Sequence, residues 1–257
     1  MTLSVSTRSA LAIGVAATLT AVTACSSATG SSPASTGTER VASRIVPAQT
    51  IAAQTVAAQT VAAQAAELPP FRSRVRKVTA KDLPHSWHRG CPVGPKSLRL
   101  ITLRFYGFDK KAHVGRLVVH KSVVKDVTRA FKKAYDARFP IRRMRLVDRY
   151  EADDTRSMNA DNTSAFNCRK VAGSSSWSRH AYGKAIDINP RENPYVWTSG
   201  GKKHVSPKAG KAYLDRTLKK KGMLRARSTL VVAFKAAGWG WGGQWRTVKD
   251  YQHVDLR

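Results

Sequence analysis

Ser97-Leu-Arg-Leu-Ile-Thr-Leu-Arg-Phe-Tyr106 has the Leu, Ile and aromatic content of a β-strand. Gly115–His120 (GRLVVH) reads as a second strand. Between Lys121 and Arg138 the apolar residues Val123, Val124, Val127, Ala130, Phe131, Ala134 and Tyr135 recur at helical spacing. Ser122 is placed to cap that helix and Pro140 to stop it. Further on, Ile141–Asp148, Ala165–Val171, Lys184–Asn189 and Tyr251–Leu256 read as strands, and Ser228–Ala237 as a short amphipathic helix. Residues 149–164 are polar and read as a loop. Strands interleave with few helices and without a βαβ rhythm, which predicts an α+β fold on a mostly antiparallel sheet.

The chain has 257 residues, with 45 Lys+Arg against 16 Asp+Glu and a formal net charge of +29. Hydrophobic residues make up 42% and six residues are Trp, so a core can form despite the charge. Residues 1–70 hold only Arg8, Arg40, Arg44, Glu39 and Glu67, which leaves 42 basic and 14 acidic groups, a net +28, on residues 71–257. Such a domain attracts polyanions. No helix-turn-helix, zinc-finger or other nucleic-acid motif accompanies the charge, so nucleic acid is not expected as a partner.

The N-terminus points outward from the cell. Arg8 precedes an apolar, Ala-rich stretch from Leu11 to Val22, the length of a signal h-region. It ends in Val22-Thr23-Ala24-Cys25, which resembles a bacterial lipobox with Cys25 as the lipidated residue. Residues 1–24 therefore read as a signal peptide of lipoprotein type, and residues 25–70 as a low-complexity linker. Within the linker a pentad recurs, Thr50-Ile51-Ala52-Ala53-Gln54 through Thr60-Val61-Ala62-Ala63-Gln64, and a period of five keeps no apolar face on a strand or a helix. As a flexible coil the linker would span roughly 35–40 Å, enough to hold a domain off a membrane and within a wall layer. With Cys25 lipidated, Cys91 and Cys168 remain, and in an exported protein two Cys are expected to pair.

Chemistry concentrates in two stretches, Ser178-Arg179-His180-Ala181-Tyr182-Gly183-Lys184-Ala185-Ile186-Asp187 and Asp250-Tyr251-Gln252-His253. His180, Asp187 and His253 supply two imidazoles and a carboxylate, the ligand set of an open catalytic zinc site. Asp250, three residues before His253, is placed to act as general base. Taken singly, each of these residues is more often structural. His85, His88, His113, His120 and His204 read as surface or packing residues. Trp239, Trp241 and Trp245 in their Gly-rich run read as an aromatic floor beside the last strand, with a cleft wall for sugar or peptide as the functional alternative.

Together the two stretches, as Ser-x-His-x-x-Gly-x-Ala-x-Asp followed by Asp-x-x-His, resemble the M15 family of zinc peptidases over about residues 85–257. That family includes D-alanyl-D-alanine carboxypeptidases, D,D-dipeptidases and L-alanyl-D-glutamate peptidases. The resemblance implies a Hedgehog/DD-peptidase-like α+β domain over residues 71–257, with one Zn2+ per chain on His180, Asp187 and His253. It implies Asp250 as the catalytic base, Arg169 as the group that polarises the scissile carbonyl, and Ser178 at the substrate. Asp250 stands where many members carry Glu, a departure that resembles the endopeptidase branch. The implied function is hydrolysis of amide bonds in peptidoglycan stem peptides by zinc-activated water, on the extracytoplasmic face of the membrane or in the wall. Anionic wall polymers and, through Cys25, the membrane are the implied partners. The alternative is a zinc-containing wall-binding module without catalysis, for which a general base would have no use.

Overall fold

A computed structural model describes residues 68–257; the stretch read as a signal peptide, the pentad repeat and Cys25 lie outside the described residues. The first sheet is built from β1 (Ser73–Lys77), β2 (Leu98–Gly107) and β3 (Ala112–His120), all antiparallel, with the two-residue β4 (Pro140–Ile141) parallel to β2. One face of this sheet, through Ile101, Leu103, Phe105, Leu117 and Val119, packs on the helix α1 (Val124–Asp136). In α1, Val127, Ala130, Phe131, Ala134 and Tyr135 are buried, the face that the periodicity predicts. The other face of the sheet contributes Leu98, Leu100 and Val118 to a second cluster with Val78, Leu83 and Phe166.

Four expectations need correction. Ser122 does not cap α1: a 3-10 turn, Lys121–Val123, precedes the helix, and the His120 side chain accepts from Ser122 N. Ile141–Asp148 is not one strand. It breaks into β4, β5 (Arg143–Met144) and a 3-10 turn at Val147–Tyr150, because two side-chain amides intercept its backbone. Asn189 Oδ1 accepts from Arg142 N at 3.1 Å and Asn162 Oδ1 from Arg145 N at 2.9 Å. The polar stretch 149–164 holds a helix, α2 (Asp154–Asn159), whose cap Asp153 accepts from Arg156 N, and β6 (Asn162–Thr163), parallel to β5. Ala165–Val171 forms no strand; its backbone makes single bridges and loop contacts.

The remaining strands form two small sheets. In one, β7 (Ala185–Asp187), β12 (His253–Asp255) and β10 (Gly240–Trp241) run antiparallel in the order β10-β12-β7. In the other, the hairpin β8 (Tyr195–Ser199) and β9 (Lys202–Ser206) pairs with β11 (Lys249–Asp250), in the order β11-β8-β9. The hairpin loop is Gly200-Gly201, with φ of +56° and +71°, the left-handed pair that a two-residue type I′ turn demands. The helix α3 (Thr229–Lys235) packs against α1 through the edge-to-face pair Phe131–Phe234. Among the described residues no helix is long and apolar enough to cross a membrane.

Candidate functional site

His180 sits on a 3-10 turn, Arg179–Tyr182, whose N-cap Ser178 is buried and accepts from His180 N at 3.3 Å. The turn closes on Gly183 at φ +64°, where a Cβ would lie 2.6 Å from His120 N, so only glycine fits the approach. The His180 Nδ1–H donates to Ala165 O at 2.6 Å. A carbonyl can only accept, so this bond fixes the tautomer and leaves the Nε2 lone pair directed into the site.

Asp187 and His253 are opposite each other in the β7–β12 register. Asp187 is held on its other side by reciprocal backbone bonds to Ser164, at 2.9 and 3.0 Å. His253 Nδ1 lies 3.0 Å from Asp187 Oδ1, His180 Nε2 lies 3.2 Å from Asp187 Oδ2, and the two imidazole nitrogens are 3.2 Å apart. Ligands at zinc distances around a tetrahedral ion stand roughly 3.3 Å from one another. Three electron-pair donors converge, and one proton cannot bridge them all, so the set fits a single cation. Burial favours a neutral Asp187, but the two imidazoles overcome it and hold the carboxyl well below its ordinary range. Burial likewise opposes charge on His253, but in the ion-free site the bond to Asp187 and its charge push the imidazole up to about 9, a proton that a bound cation would displace. The other candidate donor group, His88, Cys91 and Cys168, is closed to metal because both sulfurs are consumed in the Cys91–Cys168 disulfide.

Asp250 lies on β11. Its Oδ1 is buried without a hydrogen-bond partner, and burial first, then repulsion from Asp187, raises its carboxyl to about 7. Gly242 makes room for it: a Cβ there would meet Asp250 O at 2.5 Å. Trp239 and Trp241 are buried in the main cluster, and Trp241 Nε1 donates to Tyr251 O at 2.8 Å, so the floor reading holds for both. Trp245 instead faces the site, its ring 5.4 Å from His253.

The Arg169 backbone lies beside the first motif, its carbonyl accepting from Ser178 N at 3.1 Å, and its guanidinium forms an ion pair with Asp154. The predicted disulfide adjoins it and ties Cys168 to Cys91. Two features escaped sequence reasoning. The β8–β9 hairpin, signalled by Gly200-Gly201 between β-rich runs, adjoins Asp250. Arg216, a half-buried guanidinium, bonds Glu192 O, Tyr213 O, Asn193 Oδ1 and Leu224 O and lies over the Tyr251 ring, next to Asp250.

Comparison with known proteins gives one family. No curated protein and no solved structure produces a significant match. Residues 172–256 match the M15 peptidase family model described as D-alanyl-D-alanine carboxypeptidase. Both motifs fall within that segment, together with all three converging donors and Asp250, so the stretch that is similar to the M15 family is the stretch that builds the site.

Proposed function

We propose that this protein is a zinc peptidase of the bacterial envelope that hydrolyses amide bonds in peptidoglycan stem peptides. The observation that carries the reading is the convergence of His180 Nε2, His253 Nδ1 and the Asp187 carboxylate, with the unpartnered carboxyl of Asp250 three residues away in sequence. His180, Asp187 and His253 would hold one zinc ion. When bound, the ion supplies Lewis acidity, lowering the pKa of water and polarising a carbonyl.

The chain's own groups do the rest. Ala165 O and the β7–β12 register keep the donors aimed, so little reorganisation is needed during turnover. Asp250, raised to about 7 by its burial, takes the proton of the attacking water and hands it to the leaving amine. Arg169, restrained by Asp154, is the cation assigned to the developing oxyanion. Ser178 fixes the His180 turn and borders the substrate. Export with Cys25 lipidated, and attraction of the +28 domain to anionic wall polymers, place the enzyme at its substrate.

Digestion of purified muropeptides by the full chain, read by mass spectrometry with and without a chelator, tests the proposal. Chelator-sensitive loss of one amide bond is expected, and the product mass identifies it. No cleavage of any stem peptide by zinc-loaded protein would overturn the reading in favour of a wall-binding module.

A further inference from the structure

The β8–β9 hairpin carries aromatic side chains that neither core uses. Tyr195 is opposite Ser206, Trp197 opposite His204 and Ser199 opposite Lys202, while Asp250 is opposite Tyr195 on the other side. Directly opposed residues of antiparallel strands stand on the same face, as do residues two apart along one strand. Asp250, Tyr195, Trp197, Ser199, Lys202, His204 and Ser206 therefore share one face. The Asp250 charge adds to burial in raising the Tyr195 phenol, in keeping with their shared face. On this face three rings stand in a row. Tyr195 and Trp197 are 4.9 Å apart at 19°, and Trp197 and His204 are 5.1 Å apart at 17°. From the Asp250 row to the tip the face runs about 13 Å.

We propose that this face is a glycan subsite, holding the amino-sugar strand that bears the stem peptide while the peptide occupies the His180–Asp187–His253 site. The inference rests on the peptidase reading above and names the second part of its substrate. Its first support is continuity, because the row of rings begins beside the catalytic carboxyl. Its second is exposure: His204 is exposed, and Tyr195 and Trp197 are only half-buried and belong to neither hydrophobic cluster. Its third is polarity. Neither the Tyr195 hydroxyl nor Trp197 Nε1 has a partner among the described residues, and neither is a buried orphan, so both are open to solvent. Amphipathic rings with free polar tips suit a pyranose, which offers C–H surface and hydroxyls together. Within the three strands this face carries little net charge, since Lys203 and Lys249 stand on the opposite one, leaving Lys202 at the tip against Asp250 at the base.

The test uses the metal-free full chain and an oligomer of N-acetylglucosamine, with tryptophan fluorescence and calorimetry as readouts. Saturable binding with fluorescence change is expected. Trp197→Ala should weaken it about tenfold, the scale of one lost ring contact, while Trp197→Phe retains most of it. In the loaded enzyme the same Trp197→Ala change should raise KM for glycan-linked stem peptide relative to free peptide. His204→Ala gives a second reading if Trp197→Ala disturbs the hairpin by circular dichroism. No saturable binding by the wild type, or wild-type affinity in both alanine variants, overturns the subsite. Peptide cleavage without sugar binding overturns the subsite alone. Sugar binding without cleavage of any stem peptide overturns the peptidase reading and leaves the sugar site standing.

Discussion

Glu192 and Asp161 make a buried acidic pair whose protonation should be legible in stability. Glu192 is fully buried and Asp161 is 3% exposed. Glu192 Oε1 accepts from Tyr213 at 3.3 Å, but Glu192 Oε2 and Asp161 Oδ2 accept no hydrogen bond, the cations nearest Asp161 Oδ2 being Arg142 Nε at 3.6 Å and Arg191 Nε at 4.0 Å. Two acceptors face one another, and a proton on Glu192 supplies the missing bond. Burial, then this bond to Asp161, raises the Glu192 carboxyl from 4.5 to about 7. The folded state therefore binds a proton that the unfolded chain releases at lower pH. Stability is greatest below the unfolded value of 4.5, falls as pH rises to about 7, and is level beyond. A rise from 4.5 to about 7 corresponds to a ceiling of about 3 kcal/mol lost across that window. Glu192→Gln offers a permanent N–H donor in the same shape. It should match the wild type near pH 4.5 and exceed it by up to about 3 kcal/mol at about pH 8, measured by urea unfolding across the range. An identical difference between variant and wild type at both ends of the range would refute the shared proton.

Breaking the Cys91–Cys168 bridge frees a 77-residue loop, so replacing both Cys by Ala should cost about 4.5 kcal/mol in urea unfolding, and an unchanged midpoint would contradict this. Asp250→Asn should keep metal content and fold while lowering turnover about 10²–10⁴-fold on any stem peptide that the wild type cuts. Metal analysis beside kinetics separates that outcome from loss of a ligand. Gly183→Ala places a Cβ against His120 N at φ +64° and should destabilise by roughly 1–3 kcal/mol, with weakened metal uptake by the displaced His180. A wild-type melting temperature would show that the turn relaxes freely.

The site was more legible in the sequence than the framework around it. The convergence of His180, Asp187 and His253 was legible because a metal site would restrict residue type and because two short motifs hold all three. What the motifs could not give was the closure, which depends on Ala165 O and on a strand register linking residues 66 apart in the chain. The long strands and α1 were legible because each buries a periodic face. Ile141–Asp148 misled because its apolar residues suggest a strand, whereas Asn162 and Asn189, both distant in sequence, take its backbone donors. The helix α2 was hidden by polarity: its six residues bury only Ser157, and Asp153 as N-cap was the available sign. Of the Trp run, Trp239 and Trp241 proved to be core, and burial alone separates them from Trp245.

The converging donors also bind the chain's thermodynamics to its surroundings. They come from the His180 turn, β7 and β12, and a fourth segment, at Ser164 and Ala165, braces two of them. His180 and Asp187 share one short stretch, but His253 joins them only through the β7–β12 register, so a cation that needs all three binds only the folded chain. By mass action, each tenfold rise in free ion above its dissociation constant would then add about 1.4 kcal/mol to the free energy of unfolding. Scarcity of the ion would act first on the lifetime of the folded protein, and thus on how much of it persists, as well as on its turnover.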